Sequence, residues 1–505
     1  MPESQRTMPD LPPNIAAVLD EHAIGRPSHP ALIYGDRTWS HAAFARRVRQ
    51  AAAVLDAEGI ACGDLVGIAL SDTDEAVVLM FALARLGAIL LPMDDRWSAA
   101  EKDALAGWFR PSRVLAPDAG AVRAAPVLAV DAGFADRIDA APDTAPIARR
   151  PDLPLLVSLS SGTTGRPRGP AVTHAQMIHR FVNQTVSLTF DWYDRFVTAT
   201  PLYFGGGRTF TLSFLYLGGT VVLFPPPYKA EDLSACLVRH RATALFLVPT
   251  LLRRMLQLPD TEKAAFRALR LLVSSGAPLF PPERAAVRRE LNPAFFEYYA
   301  STEGGGITVL PPQDQEAHPE SVGRPAFRVA VEIVDQDDRP VPPGEVGRVR
   351  YRGPGVAEAF FRDPEADAGA FRDGWFYPGD LGVMDEEGFL SLRGRSKDMI
   401  LRGGVNIYPM EIEQVLTHCP DLAEVAVFPV PSAELGEEVA AAVVARGDAL
   451  DLAGLAALCR DRLAPYKRPS RYFLLEELPR NTSGKTLKTA LPDLVRDRDA
   501  DFVPE

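Results

Sequence analysis

Serines, threonines and glycines crowd the stretch SLSSGTTGRPRG, Ser158 to Gly169, together with two arginines. Successive backbone N–H groups in a glycine-rich turn form a concave set of donors that suits phosphate oxygens. Here the hydroxyls of Ser160, Ser161, Thr163 and Thr164 join that set, Gly162 and Gly165 let the chain bend, and Arg168 adds a rigid positive fork. The same composition also describes a solvated turn, because Ser, Thr and Gly abound in loops. A Walker loop does not fit: GxxxxGK[ST] is absent from the stretch, and NTSGKT at 481–486 ends like one but has Pro479 where the first glycine belongs.

Other stretches carry related groups. SSGAP (274–278), YYASTEGG (298–305), GWFYPGDLG (374–382), GRSKDMILRGGVNIYPMEIE (394–413) and PRNTSGKTLK (479–488) follow the first loop in that order. Together they resemble the motif series of the adenylate-forming superfamily, which includes acyl-CoA synthetases, peptide-synthetase adenylation domains and luciferases. The likeness covers about residues 30 to 490.

The resemblance implies a site for ATP, Mg²⁺ and CoA. Gly276, Ala277 and Pro278 allow close backbone approach to adenine, Tyr299 offers it a flat face, and Tyr298 is grouped with them. Thr302 is expected to donate to the α-phosphate, and Glu303, a hard oxygen ligand, to hold the metal. Asp380 accepts from the ribose hydroxyls, with Arg395 on ribose or phosphate. Lys397 stands at the hinge, and Arg402, Gly403 and Gly404 line a pantetheine tunnel. Lys485 is the catalytic lysine: it reaches the substrate carboxylate and the α-phosphate as charge builds during attack. The implied reaction has two steps, acyl-adenylate formation with loss of pyrophosphate, then attack of a thiol on the acyl carbon with loss of AMP. The carboxylate is itself the nucleophile, so the protein supplies positioning and charge.

The acid is read from departures within PLYFGGGRTF. Phe204 replaces the family's usual histidine, and Gly205 stands where amino-acid-activating relatives carry aspartate, which disfavours an α-amino acid. Tyr203, Phe204, Gly205 and Gly304 are the candidate substrate residues; Gly205–Gly207 and Gly304–Gly306 are expected to leave space between aromatic walls for a fatty or aryl acid. Arg208 could instead read a second carboxylate. Pro378 replaces the usual threonine of the ribose segment, and Arg168 the usual lysine of the phosphate loop. GGVNIYP and APYKRP resemble acyl-CoA ligases most. A stand-alone enzyme that loads a carrier protein, and a non-catalytic nucleotide or acyl-adenylate binding protein, are the alternatives.

Such a site needs a scaffold that brings distant loops together. Apolar segments alternate in period: DLVGIAL reads as a strand, DEAVVLMFALARLG as a helix ending in glycine, and AILLPM as a strand, and the rhythm resumes after the loop from GTVVLF to PPERAAVRREL. This predicts an α/β fold with a large N-terminal domain of parallel and mixed sheets (1–393), a hinge (394–397) and a small mobile α/β C-terminal domain (398–505) that carries the lysine. Residues of about 130 to 151 read as a polar connection. At 505 residues, with 54 Lys+Arg against 66 Asp+Glu and a net charge of −12, the chain is an improbable general binder of nucleic acid, and small molecules are the expected partners. Four scattered cysteines argue against a disulfide framework or structural zinc, and no run reads as a membrane span, so a cytoplasmic protein is expected. An acyl carrier protein and a homodimer remain open as further partners. Lys485→Ala is expected to abolish acyl-adenylate formation while sparing ATP binding and the fold, as read by pyrophosphate release beside nucleotide-binding and circular-dichroism measurements.

Overall fold

The computed structural model describes residues 14–159, 168–447, 449–480, 486–496 and 498–504. Six strands, Pro30–Tyr34, Arg195–Thr198, Thr220–Leu223, Ala244–Leu247, Leu271–Ser274 and Phe295–Ser301, pair in parallel, with antiparallel strands at both margins. A second sheet pairs Leu65–Ile68, Ile89–Pro92, Arg113–Ala116, Val127–Ala129 and Pro154–Val157 in parallel and closes on Ala171–Thr173. Their short Val/Leu/Ile/Ala runs are buried nearly throughout, as strands covered on both faces must be.

The helix Asp74–Leu86 shows why the two sheets cohere. Thr73 caps it by accepting from the Ala76 N–H, Gly87 ends it at φ +75°, and almost every residue between is buried. Its middle, residues 76–84, is apolar on every side and can only lie inside, and it shares one core cluster with Val66 and Ile68 of the second sheet and with Leu32, Phe196 and Val221 of the first. Phe190, Phe196, Phe210, Phe214 and Phe246 continue that core as a ladder of stacked and tilted rings 4.3–5.9 Å apart.

One expectation needs correction. Within the stretch read as a polar connection, Ala132–Ala140 is a helix, capped by Asp131 on the Phe134 N–H. Phe134 and Ile138, four apart, are both buried against the main core; one apolar pair was too short a pattern to stand out between alanines and aspartates.

The C-terminal part is a small α/β domain. Strands Ile400–Arg402, Val405–Ile407, Leu422–Ser432, Gly436–Ala445 and Arg471–Leu474 form its sheet. One face packs on helices Pro409–Leu416 and Leu452–Arg462, and the other on Leu478, Leu491 and Val495. The chain passes from large to small domain through the exposed turn Ser396–Asp398. No helix among the described residues is long and apolar enough to cross a membrane. Removing the centre of the aromatic ladder with Phe214→Ala is expected to cost about 3–5 kcal/mol, read as an earlier guanidinium unfolding transition followed by tryptophan fluorescence.

Candidate active site

Parallel pairing sets the place. The segments 199–204, 248–249, 275–278 and 302–304 all leave the carboxyl ends of adjacent strands of the first sheet, and the loop that begins at Ser158 leaves the strand Pro154–Val157 of the second. Clefts outside those ends are where open α/β sheets take their ligands. Ser160, Ser161, Gly162, Thr163, Thr164, Gly165 and Lys485 lie outside the described residues.

Thr302 and Glu303 occupy the tip of a hairpin, because Ser301 pairs with Gly305 across it. The tip is tightly determined. Gly304 N–H donates to Ser301 Oγ at 2.8 Å, and that hydroxyl shares a 2.5 Å bond with the fully buried Tyr351. The Thr302 and Glu303 carbonyls accept from Arg180 of the helix His174–Ser187, and the Glu303 carbonyl also accepts from the Ala357 N–H. Among the described residues no group of three or more His, Cys, Asp or Glu could hold a metal, which leaves Glu303 as a single carboxylate. One carboxylate completed by phosphate oxygens is a donor set that Mg²⁺ accepts.

Behind the hairpin, Tyr299 and Arg395 meet at Asp380. The Tyr299 hydroxyl donates to Asp380 Oδ2, and Arg395 Nε lies 2.8 Å from Oδ1. Asp380 and Arg395 face each other because the strands Asp380–Met384 and Leu390–Arg395 pair them in register. Burial, then the Asp380 charge, pushes the Tyr299 phenol well above its ordinary pKa, so it stays a donor. Gly276, Ala277 and Pro278 are exposed at the neighbouring strand end, and Gly276 adopts φ +99°, a conformation that favours glycine.

Other expected residues fall differently. Tyr298 is not a nucleotide contact: adjacent strand residues point to opposite faces, and its buried hydroxyl donates to Asn183 inside the core. The glycines do not leave the expected space. A Cβ on Gly304 would meet the Tyr351 ring at 2.5 Å, one on Gly305 the Arg180 stem at 3.0 Å, and one on Gly306 the Tyr298 hydroxyl at 1.6 Å. Gly206 and Gly207 are filled likewise by Phe246 and by the carbonyls of Thr200 and Pro201; Gly205 alone of the six faces open space. Glycine here admits neighbouring side chains. Arg208, buried, has both Nη groups committed to the carbonyls of Leu202 and Tyr203 and to Ser158 Oγ, which leaves only Nε without a partner for a second carboxylate. Tyr203 turns toward Arg96 and Trp97. Phe204 precedes the helix Gly205–Leu217 and puts its ring 3.6 Å from where a Gly276 Cβ would stand. Arg168 lies 4.0 Å from Asp363 and beside Phe360. Lys397 is exposed in the interdomain turn, and Arg402, Gly403 and Gly404 form the tip of a hairpin in the small domain. Arg180, Asn183 and Tyr351 were not foreseen, and nothing in their sequence neighbourhood marks them.

Comparison with known proteins accords with this geometry. Residues 19–361 match the AMP-binding enzyme family and residues 411–485 the AMP-binding enzyme C-terminal domain. The indoleacetate–CoA ligase of Aromatoleum aromaticum is 33% identical over 497 residues, covering 94% of this chain and 97% of that one. A feruloyl-CoA synthase from Amycolatopsis is 34% identical over 470 residues, 92% and 95% of the two chains. The crystal structure of ATP-bound MatB from Rhodopseudomonas palustris superposes with a TM-score of 0.89 at 29% identity over 96% of this chain and 99% of that one. Tyr299→Phe keeps the ring and removes the donor to Asp380; the ATP KM is expected to rise roughly tenfold with kcat little changed, in a pyrophosphate-release assay.

Proposed function

The chain belongs to the AMP-binding enzyme family, and on that premise we propose that the acid it activates is a compact aromatic carboxylic acid. The enzyme is an AMP-forming acid–thiol ligase. A carboxylate oxygen attacks the α-phosphorus of ATP, an O–P bond forms as pyrophosphate leaves, and the resulting acyl-adenylate is cleaved by the thiol of CoA to give acyl-CoA and AMP. Neither step needs a protein nucleophile, so the burden falls on alignment and on charge placed in advance.

The observation that carries the choice of acid is the Tyr298 side chain lying across Gly306. It fills the depth that a glycine run would otherwise open, because a Cβ on Gly306 would meet the Tyr298 hydroxyl at 1.6 Å. The rings that pack at the glycine positions are Phe204 and Phe246 at Gly206 and Tyr298 at Gly306, with Phe210 packed against both Phe246 and Tyr298. Rings packed where a glycine run would otherwise open depth favour an aryl acid over a long alkyl chain. The indoleacetate and feruloyl specificities of two relatives accord with that reading.

The roles assigned to single residues follow the same proposal. Tyr299 stacks on adenine while its hydroxyl steadies Asp380 for the ribose. Thr302 donates to the α-phosphate. Glu303 would hold the Mg²⁺ that neutralises the triphosphate. The small domain turns about Lys397 between the two half-reactions, bringing first Lys485 and then the Arg402–Gly404 hairpin to the site.

The test is pyrophosphate release with aryl, fatty and dicarboxylic acids, with and without CoA, and products identified by mass spectrometry. An indole or phenylpropenoid acid is expected to exceed a sixteen-carbon acid by roughly tenfold or more in kcat/KM, and Tyr298→Ala to narrow that ratio. A preference for the long chain would refute the compact pocket, and acyl-AMP without thioester would identify a carrier protein as acceptor.

A further inference from the structure

Arg180 is a buried cation with no ion-pair partner among the described residues. It projects from the helix His174–Ser187 with about 5% of its surface exposed, and its three hydrogen-bonded nitrogens reach main-chain oxygens: Nε to Gly355 at 2.7 Å, Nη1 to Thr302 at 3.1 Å and Nη2 to Glu303 at 2.5 Å. Burial lowers its pKa to about 10, partly offset by the nearby Tyr351 and Glu303, so the guanidinium remains charged at neutral pH. Burying a charge on carbonyl dipoles alone is costly. Packing a fold does not call for it, since an apolar side chain would fill the same volume.

The surroundings are shaped to admit this group. A Cβ on Gly305 would stand 3.0 Å from its Cγ and Cδ, and a Cβ on Gly355 3.0 Å from its Cγ. Two glycines, one in the strand Gly305–Leu310 and one in the turn that follows the strand Gly347–Arg352, thus make room for one stem. Asn183, one turn further along the helix, holds Tyr298 in place, so the same helical face supports the hairpin at a second point.

From this geometry we infer that Arg180 is a positioning residue for acyl-adenylate formation: its fork holds the peptide units of Thr302 and Glu303 so that their side chains meet the triphosphate and its metal in fixed register. The inference rests on the ligase reading given above. It distinguishes the two half-reactions. Adenylate formation requires the triphosphate and its metal to be aligned against the hairpin tip. Thioester formation starts from acyl-AMP, which has no triphosphate, and depends on that tip far less. A misplacement of about 1 Å at a reacting centre is enough for a rate loss of roughly a hundredfold.

The experiment uses the full chain with its preferred aryl acid. Arg180→Gln, Arg180→Lys and Gly355→Ala are compared with wild type in pyrophosphate release, in thioester formation from synthetic acyl-adenylate plus CoA, and in the Mg²⁺ concentration for half-maximal adenylation. Arg180→Gln is expected to lose roughly a hundredfold in adenylation and less than about threefold in thioester formation, with Mg²⁺ half-saturation raised several-fold. Arg180→Lys, which keeps the charge but not the fork, should fall between. Gly355→Ala displaces the stem without removing it and should show the same split, which keeps the test decisive if Arg180→Gln does not fold. Equal losses in both half-reactions, or unchanged adenylation and Mg²⁺ dependence, would overturn the assignment. Absence of acyl-adenylate from wild type with every acid would instead overturn the ligase reading.

Discussion

The strands Phe295–Ser301, Leu271–Ser274, Ala244–Leu247, Arg195–Thr198, Thr220–Leu223 and Pro30–Tyr34 lie side by side in that order, parallel throughout the middle of the first sheet, and parallel strands end on the same edge. That constraint makes the rest possible. Loops separated by a hundred residues in sequence, such as those around Phe204 and Thr302, become neighbours because each leaves the carboxyl end of a strand in the same array. The strand Pro154–Val157, from which the phosphate-type loop departs, belongs to the second sheet, which the buried helix Asp74–Leu86 keeps in one core with the first. Parallel sheets must be covered on both faces, and the Val/Leu/Ile/Ala runs of these strands supply that burial.

At the edge, precision comes from crowding. Ser301 Oγ, Tyr351, Arg180 and Tyr298 converge on the turn 302–306, and each glycine there is a place where another side chain already stands. The hairpin tip can hardly adopt another shape without clashes or stranded polar groups. Asp380 is held from two sides in the same manner, by Tyr299 of the first sheet and by Arg395 of the strand Leu390–Arg395 that pairs with its own, so the cleft is lined across a sheet boundary. Arg395 leads directly into the exposed turn Ser396–Asp398 and the small domain, and the residue that grips Asp380 therefore stands beside the chain's route from one domain to the other.

Much of this was legible beforehand. The βα rhythm, the small C-terminal domain and the family follow from periodicity and from motifs in a fixed order. Thr302, Glu303 and Asp380 could be singled out because the resemblance to the adenylate-forming motif series implies roles for those positions. The helix Ala132–Ala140 was missed because its apolar face is only Phe134 and Ile138. Tyr298 was placed on the wrong side because two consecutive tyrosines look alike in sequence, while a strand sends them to opposite faces. The glycine runs were read as space because a missing side chain does not reveal what moves into its place.

The sequence by itself determined which chemical groups are available, the order in which they occur and the periods that make strands and helices. Only the tertiary structure decided what supports them. Arg180 acts on carbonyls 122, 123 and 175 residues away, and main-chain carbonyls occur at every residue, so no pattern of side-chain types can announce such a bond. Whether a pocket is deep or shallow likewise depends on volumes brought together from distant strands. Those volumes meet only after the sheets have formed.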